Sequence, residues 1–446
     1  MTKTPVRDFV KKYARKRPVR LHVPGHKGKR FIGLEKFDVT EIDGADELYN
    51  SNGVILESEL IASDLFNCHT FYSTEGSSLA IRAMVYLTCL FAKSKGQKPY
   101  FLATRNAHKS FLTAICLTGA KLGWIYNDCS PFLTSDLTAC KLENLLKNSS
   151  EIPTALYLTS PDYLGRLLDL KSISEICKKY GILLLVDCAH GSYLKFLKNS
   201  LFPIDLGADM CASSAHKTLP CLTGGAYLHL SNRLDESLIL SAKKALSVFG
   251  STSPSYLILQ SLDNCNKVVK KGFTTKLNSV VLSVNLLKDA LREKGFTVYG
   301  NEPLKICFDG KKLGYTGERL KDVLLSKGIY IEFYDRDFVV LMFSPYIKKS
   351  KILKIKRLLC SLPKLSPIYN TPPTITPFAV ANEISEVLFA QTETVKIDSA
   401  LGRVYAQIDL PCPPAVPIVV WGEVIDQNAI DLFKYYKIYT CTVLKQ

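Results

Sequence analysis

The stretch Ile182-Leu183-Leu184-Leu185-Val186-Asp187-Cys188-Ala189-His190 decides the fold. Five aliphatic residues in a row, opened by Gly181 and closed by a carboxylate, describe a strand buried on both faces, as in a parallel sheet covered by helices. Its end places the charge of Asp187 at the carboxyl edge of the sheet, where open α/β folds collect their ligands. A charge buried there is costly unless a cation accompanies it. An aspartate that merely caps the following segment would read the same way, so the distinction rests on the rest of the chain.

On both sides of this strand the pattern repeats. Strands are predicted at 99–103, 120–125, 154–159, 182–187 and 207–213, and helices near 107–118, 140–149 and 170–180. Leu79, Ala83, Leu87, Leu90 and Phe91 share one face of a further helix. Such alternation predicts a mainly parallel sheet with helices on both faces. Residues 233–294 are helix-rich, and a smaller α/β unit follows, with strands near 296–300, 304–308, 329–335 and 338–344 and helices near 316–327 and 350–361. Pro363, Pro367, Pro372, Pro373 and Pro377 mark a linker, and Pro411-Cys-Pro-Pro-Ala-Val-Pro417 can be neither helix nor central strand. The expected domains are an N-terminal arm (1–50), a large domain (51–270), a small α/β domain (271–362) and a C-terminal domain (363–446).

Two further motifs give Asp187 a context. Ala212-Ser213-Ser214-Ala215-His216-Lys217-Thr218 follows the apolar Ala208-Asp-Met-Cys211. A lysine embedded among small residues at a strand end is expected to have a depressed pKa and to serve as an amine nucleophile toward an aldehyde. Ser214 and His216 can donate to a phosphate. Upstream, Ser73-Thr-Glu-Gly76-Ser77-Ser78 precedes the helix containing Leu79, so hydroxyls and free N–H groups gather at a helix N-terminus and form an anion site. A phosphate cradle, a carboxylate for a protonated pyridine nitrogen and an amine for an aldehyde are together what pyridoxal 5′-phosphate requires of a protein. Five of the seven histidines, His22, His26, His108, His190 and His216, lie in motif-like settings. His108 falls between a strand and a helix, where its ring can stack on a flat cofactor.

Bulk properties limit the alternatives. With 446 residues, 47% hydrophobic and 22% charged, the chain reads as an ordinary multidomain globular protein. Its longest apolar runs are too short for a membrane span. Met1-Thr-Lys-Thr-Pro-Val-Arg-Asp-Phe-Val10 has no apolar signal core, which leads to the expectation of a cytoplasmic protein. The 14 cysteines are scattered, with no Cys-x-x-Cys and no partnering histidine at zinc-ligand spacing, so reduced thiols and no metal are expected. The net charge of +16 includes a basic run, Lys11-Lys-Tyr-Ala-Arg-Lys-Arg17. No nucleic-acid module accompanies it, and a lysine-rich proteome together with attraction for an anionic cofactor accounts for the charge better than specific nucleic-acid binding.

Taken in order, the motifs resemble those of the pyridoxal-phosphate-dependent ornithine/lysine/arginine decarboxylases of fold type I. The resemblance runs through His22-Val-Pro-Gly-His26-Lys-Gly28, Glu41-Ile-Asp-Gly-Ala-Asp46, Arg105-Asn-Ala-His108-Lys-Ser110 and Thr159-Ser-Pro-Asp-Tyr163-Leu-Gly165. It continues through Asp187/His190, His216-Lys217, Thr252-Ser-Pro-Ser-Tyr256, Leu401-Gly-Arg-Val404, Pro413-Pro-Ala-Val-Pro417 and Gly422-Glu423. It implies an aspartate-aminotransferase-like large domain with a mainly parallel seven-stranded sheet, a smaller α/β domain and a family-specific C-terminal domain. Lys217 would carry the cofactor as a Schiff base, Asp187 would pair with its ring nitrogen, and His108 would stack on the ring. Gly76, Ser77, Ser78, Ser214 and His216 would hold the phosphate, and His190 would line the ring near the reacting carbon. The implied reaction is α-decarboxylation of arginine, lysine or ornithine to an amine and CO₂, in polyamine biosynthesis. The implied assembly is a homodimer or larger, with the Thr252-Ser253 loop reaching the partner's site. Glu332 and Asp335 are candidates for the substrate's distal cation. The chain is short beside the large inducible members and is similar to the compact biosynthetic type. It departs from the usual pattern at Glu75 (commonly Asn), at Cys188 (commonly Glu), and around Cys412 and Trp421. Another fold-type-I reaction (an aminotransferase or a carbon–sulfur lyase), or a non-catalytic anion-binding relative, is the alternative.

Overall fold

A computed structural model describes residues 3–128 and 131–445. Met1 and Thr2, where the N-terminal reading begins, and Cys129, one of the 14 cysteines, lie outside the described residues. The chain forms two compact units. One comprises residues up to Pro99, Pro153–Tyr157 and Cys177–Thr275, and the other comprises Tyr100–Ile152, Leu158–Ile176 and the chain from Lys276 onward.

The main sheet has seven strands: β1 (His69–Ser73), β2 (Tyr100–Thr104), β3 (Lys121–Ile125), β4 (Ala155–Thr159), β5 (Leu183–Asp187), β6 (Met210–Ser213) and β7 (Ala226–Leu230). Their order is β1-β7-β6-β5-β4-β2-β3. β5 and β6 pair in parallel, as do β2 and β3, while β7 runs antiparallel to both β6 and β1. The fold class expected from the chain is the one observed. All five residues of β5 are buried, and removing each aliphatic side chain from water stabilises the sheet by about 1.5–3 kcal/mol.

In the first unit the sheet is covered by the helix Gly76–Ser94, whose apolar face includes Leu79, Ala83 and Leu87. An aromatic cluster closes the other end of the core. The ring of Phe66 lies 5.3 Å from Phe196, 5.4 Å from Phe202 and 5.2 Å from Tyr227. His229 joins this cluster and hydrogen-bonds Thr70 (3.0 Å) and Ser213 (2.8 Å), and complete burial lowers its pKa to about 3. It is a neutral core histidine, not a site residue.

The second unit contains a four-stranded antiparallel sheet in the order β10-β11-β9-β8. Its strands are β8 (Thr297–Tyr299), β9 (Lys305–Asp309), β10 (Phe333–Tyr334) and β11 (Val339–Met342), with helices Gly317–Ser326 and Lys349–Cys360. Leu133, Leu164, Cys307, Phe338 and Val340 form its core. The proline-rich segment carries no regular element as far as Ala379. Beyond it, β12 (Thr392–Lys396) pairs antiparallel with β13 (Thr440–Leu444), and Asp426 caps the helix Gln427–Tyr435 by accepting from the Ala429 N–H at 2.8 Å. The 13 described cysteines are all free. Among the described residues no helix is long and apolar enough to cross a membrane.

Candidate active site

Asp187 is the last residue of β5, in register with Ala212 on β6. The Cys188 N–H donates to the Ala212 carbonyl at 2.8 Å. The two strand ends therefore lie side by side, and β6 runs directly into Ser214 and the helical turn Ala215–Thr218 that carries Lys217. The Asp187 carboxylate is buried. Its Oδ1 accepts from the Ala189 N–H (3.0 Å) and its Oδ2 from the Tyr157 hydroxyl (3.3 Å). Burial pushes its pKa up, against the pull of the Ala189 N–H, the nearby Lys217 charge and the Tyr157 hydroxyl. Lys217 Nζ lies 2.9 Å from His190 Nε2.

One expectation for Lys217 is corrected. Its neighbours Ser214, Ala215 and Thr218 are buried, but the lysine itself is exposed. The lysine is therefore not embedded among its small neighbours.

The helix-start cluster is drawn to the same place by a glycine turn. The Gly76 N–H donates to Gly224 O at 2.8 Å, and the His216 N–H to Gly225 O at 3.1 Å. His216 Nδ1 also contacts Gly225 O at 3.0 Å, which makes Nδ1 the protonated nitrogen of the neutral ring. Burial lowers the His216 pKa, the Gly225 carbonyl opposes this, and Lys217 adds to it. Both glycines are required. A Cβ on Gly224 would stand 2.8 Å from the backbone oxygen of Thr74, and one on Gly225 would stand 2.3 Å from Cys221 Sγ. Gly76 itself has φ +71°. No side chain caps the helix that it opens; Glu75 instead accepts from the Ser251 N–H at 2.7 Å. Ser77 and Ser78 stand in the first turn of this helix. Nearby in the chain, Ser214 Oγ and Thr218 Oγ1 are buried without a hydrogen-bond partner, which is costly for a hydroxyl unless a ligand satisfies it.

Of the remaining predicted residues, His108, Glu332 and Asp335 belong to the second unit. His108 is the N-cap of the helix Lys109–Thr118, its Nδ1 accepting from the Ser110 N–H at 3.1 Å. The turn before it is anchored by Arg105, which is buried against Glu423 at 2.7 Å. Glu332 accepts from the Tyr163 hydroxyl at 3.2 Å and is otherwise exposed beside a cavity of about 470 Å³ lined by Leu325, Phe333, Tyr334 and Pro413. Asp335 is turned inward. Its Oδ1 accepts from the N–H groups of Asp337 (2.8 Å) and Phe338 (2.6 Å), and burial pushes its pKa up to about 6. His22 and His26 make contacts within the N-terminal arm, with Tyr13 and Asp38 respectively.

Sequence reasoning missed two features of the site. Tyr157 sits on a strand whose residues are nearly all buried, so alternation gave no hint that its hydroxyl meets Asp187. Arg105 and Glu423 were both within recognised motifs, but their pairing spans 318 positions.

A mainly parallel seven-stranded sheet with Asp187 and Lys217 at neighbouring strand ends is the layout of fold-type-I enzymes. Residues 4–306 match the Orn/Lys/Arg decarboxylase major domain and residues 369–443 the C-terminal domain, and the chain belongs to the Orn/Lys/Arg decarboxylase family. It is a decarboxylase, in a family of pyridoxal-phosphate enzymes. It is similar to an arginine decarboxylase of Bacillus subtilis (29% identity, 97% of this chain and 93% of the relative). It is also similar to an arginine decarboxylase of Halalkalibacterium halodurans (30% identity, 95% of this chain and 91% of the relative). In fold it is similar to the Francisella novicida lysine decarboxylase LdcF, with a TM-score of 0.78 and 14% identity over 100% of this chain and 81% of that one.

Proposed function

We propose that this chain is a pyridoxal-phosphate-dependent α-decarboxylase of a basic amino acid, releasing CO₂ and the corresponding amine. The observation that carries the proposal is Asp187, a buried carboxylate without a full cationic partner at the strand end next to Lys217 and His190. A protonated pyridine nitrogen is the partner this charge lacks. The unpartnered hydroxyls of Ser214 and Thr218, with the helix start at Ser77 and Ser78, fit a phosphate. The single ring N–H of neutral His216 is given to Gly225 O, so its Nε2 would donate to the phosphate only as the imidazolium, and Lys217 would hold the cofactor's aldehyde carbon.

Bound pyridoxal phosphate supplies the electron sink for the pair left at the α-carbon when CO₂ departs. The chain must do the rest. Tyr157 and the Ala189 N–H hold the Asp187 carboxylate in one orientation. His190 is placed to exchange a proton with Lys217 Nζ, the atom it already contacts. His108 would flank the ring, with Nδ1 committed to its own helix cap. For the distal cation of the substrate, exposed Glu332 beside the 470 Å³ cavity is favoured over the inward-turned Asp335. The relatives' activity makes arginine the first substrate to test. We also propose a homodimer or larger assembly with shared sites, and a cytoplasmic location.

Purified protein is titrated with pyridoxal phosphate and followed by visible absorbance, with Lys217→Ala alongside. CO₂ and amine are then measured with arginine, lysine and ornithine. A band in the wild type that Lys217→Ala lacks is expected, with CO₂ from at least one amino acid. Identical spectra for the two proteins refute the cofactor site, and a band without CO₂ from any of the three refutes the reaction.

A further inference from the structure

We infer that Glu423, acting through Arg105, is a positioning residue that fixes His108 for its role against the cofactor. This rests on the function proposed above.

The pair is built for more than solubility or surface charge. The side chains of Arg105 and Glu423 are 3% and 2% exposed. Arg105 Nη2 donates to Glu423 Oε2 at 2.7 Å and to Ile418 O at 3.0 Å, while the same Oε2 accepts from the Val420 N–H at 2.6 Å. The guanidinium lies 4.9 Å from the ring centroid of Trp124, 5.8 Å from Tyr126 and 5.9 Å from Phe378. Burying two charges is poor economy for stability alone, because apolar residues of equal volume do as well or better. What it provides is orientation, and Arg105 stands three residues before His108.

The intervening turn is held from the same C-terminal stretch. The Lys109 N–H donates to Ala415 O at 2.9 Å, and the Arg105 N–H donates to Ile125 O at 3.2 Å. Between these fixed points the His108 ring has its Nδ1 occupied by the Ser110 N–H. The ring therefore keeps one tautomer, with its proton on Nε2. Residues 410–423 belong to the family's C-terminal domain and His108 to the major domain. The buried ion pair thus ties the C-terminal domain to the turn that carries His108.

The test uses Glu423→Gln, which retains shape and removes charge, with the apolar pair Arg105→Met/Glu423→Leu as a control that leaves no orphaned charge. Hydrogen exchange of the apo protein is read by mass spectrometry, and kcat and KM are measured on the loaded protein. We expect exchange in the peptide spanning 105–115 to rise about 10-fold in Glu423→Gln, with peptides covering 183–218 unchanged. We expect kcat to fall at least about 10-fold at near-constant KM, as misplacement of a positioned group does. The apolar control should restore thermal stability without restoring kcat. Exchange that rises everywhere, or kcat restored together with stability in the control, reduces the pair to a structural role and overturns the inference. Unchanged exchange and kcat in Glu423→Gln overturn it as well. A wild type that shows no cofactor band instead refutes the function proposed above, and the positioning role falls with it.

Discussion

Replacing Asp187 by asparagine should stabilise the apo protein and abolish stabilisation by the cofactor. The carboxylate is buried, and two hydrogen bonds and one nearby ammonium compensate it among the described residues. An ion removed from water costs several kcal/mol, and hydrogen bonds to a charged group return about 1.5–3 kcal/mol each. The remainder for asparagine to gain at neutral pH is about 1–2 kcal/mol, or about 2–4 °C in Tm. The pH dependence has a definite sign. Burial holds the folded pKa of Asp187 above its unfolded value of about 3.9. Between those two values the folded state binds more protons, so its stability falls as pH rises through the window. The contribution is fully favourable below the unfolded value and lost above the folded one. Asparagine has no such dependence, so the Tm advantage of the variant should widen from acid to neutral pH. With pyridoxal phosphate the order inverts. The loaded wild type gains its cationic partner, whereas the variant forgoes about 3–5 kcal/mol of that pairing. Thermal melts at several pH values, with and without pyridoxal phosphate, measure all of this. An apo variant less stable than wild type at neutral pH, or a gap that does not change with pH, would refute the reasoning.

Three further outcomes are expected. Ser214→Ala removes a hydroxyl without a partner, so apo stability in urea titrations should stay within about 0.5 kcal/mol, while pyridoxal phosphate binds about 10-fold more weakly by absorbance titration. Gly224→Ala drives a Cβ to 2.8 Å from the Thr74 carbonyl at φ +96°, so the turn must shift. Its expected cost is at least about 1–2 kcal/mol by chemical denaturation, together with weakened cofactor retention. His229 is neutral in the fold, with a pKa of about 3, whereas the unfolded chain takes up a proton below about 6.5, so stability is lost as pH falls through that range. His229→Gln should therefore shrink the loss of unfolding free energy between neutral pH and about pH 5 by about 2 kcal/mol, measured by denaturant titration at both pH values.

How far the chain could be read depended on where each signal resides. β2, β3, β4 and β5 lie within a residue of their expected limits, and β6 starts three residues late, because buried parallel strands are continuous apolar runs between turn signals. In the small domain β8, β9 and both helices also lie within a residue of their expected limits, whereas β11 ends two residues early and the strand expected at 329–335 is only the two residues of β10. β1 and β7 were not placed individually. His69-Thr-Phe-Tyr-Ser73 is short and polar, and Ala226-Tyr-Leu-His-Leu230 was overshadowed by the glycine pair before it. The β12–β13 pair joins segments more than 40 residues apart, which no local pattern encodes. Within the candidate site, residue types at strand ends and at a helix start pointed to Asp187, Lys217, His190 and the Ser77 cluster. The exposure of Lys217, the Tyr157 contact and the Arg105–Glu423 pair are products of packing between distant segments and left no trace in spacing.

The two antiparallel pairings of β7 explain why these scattered pieces meet at all. In a purely parallel sheet only strand ends face the carboxyl edge, and β5 and β6 deliver Asp187 and the Ser213–Lys217 segment there. β7 runs the opposite way, with Tyr227 opposite Ser213, so its beginning arrives at that edge and brings Gly224 and Gly225 with it. β1 opposes β7, with Ser73 opposite Ala226, so its end reaches the edge and hands the chain to Gly76, Ser77 and Ser78. Reversing one strand thus converts three distant segments into neighbours, and the hydrogen bonds of Gly224 and Gly225 to Gly76 and His216 join them. The glycines are needed because the returning turn passes against the Thr74 backbone on one side and Cys221 on the other. A side chain there would separate the phosphate-binding helix start from the lysine segment. The antiparallel β7 is therefore the element on which the geometry of the site depends, although it carries none of the proposed catalytic groups.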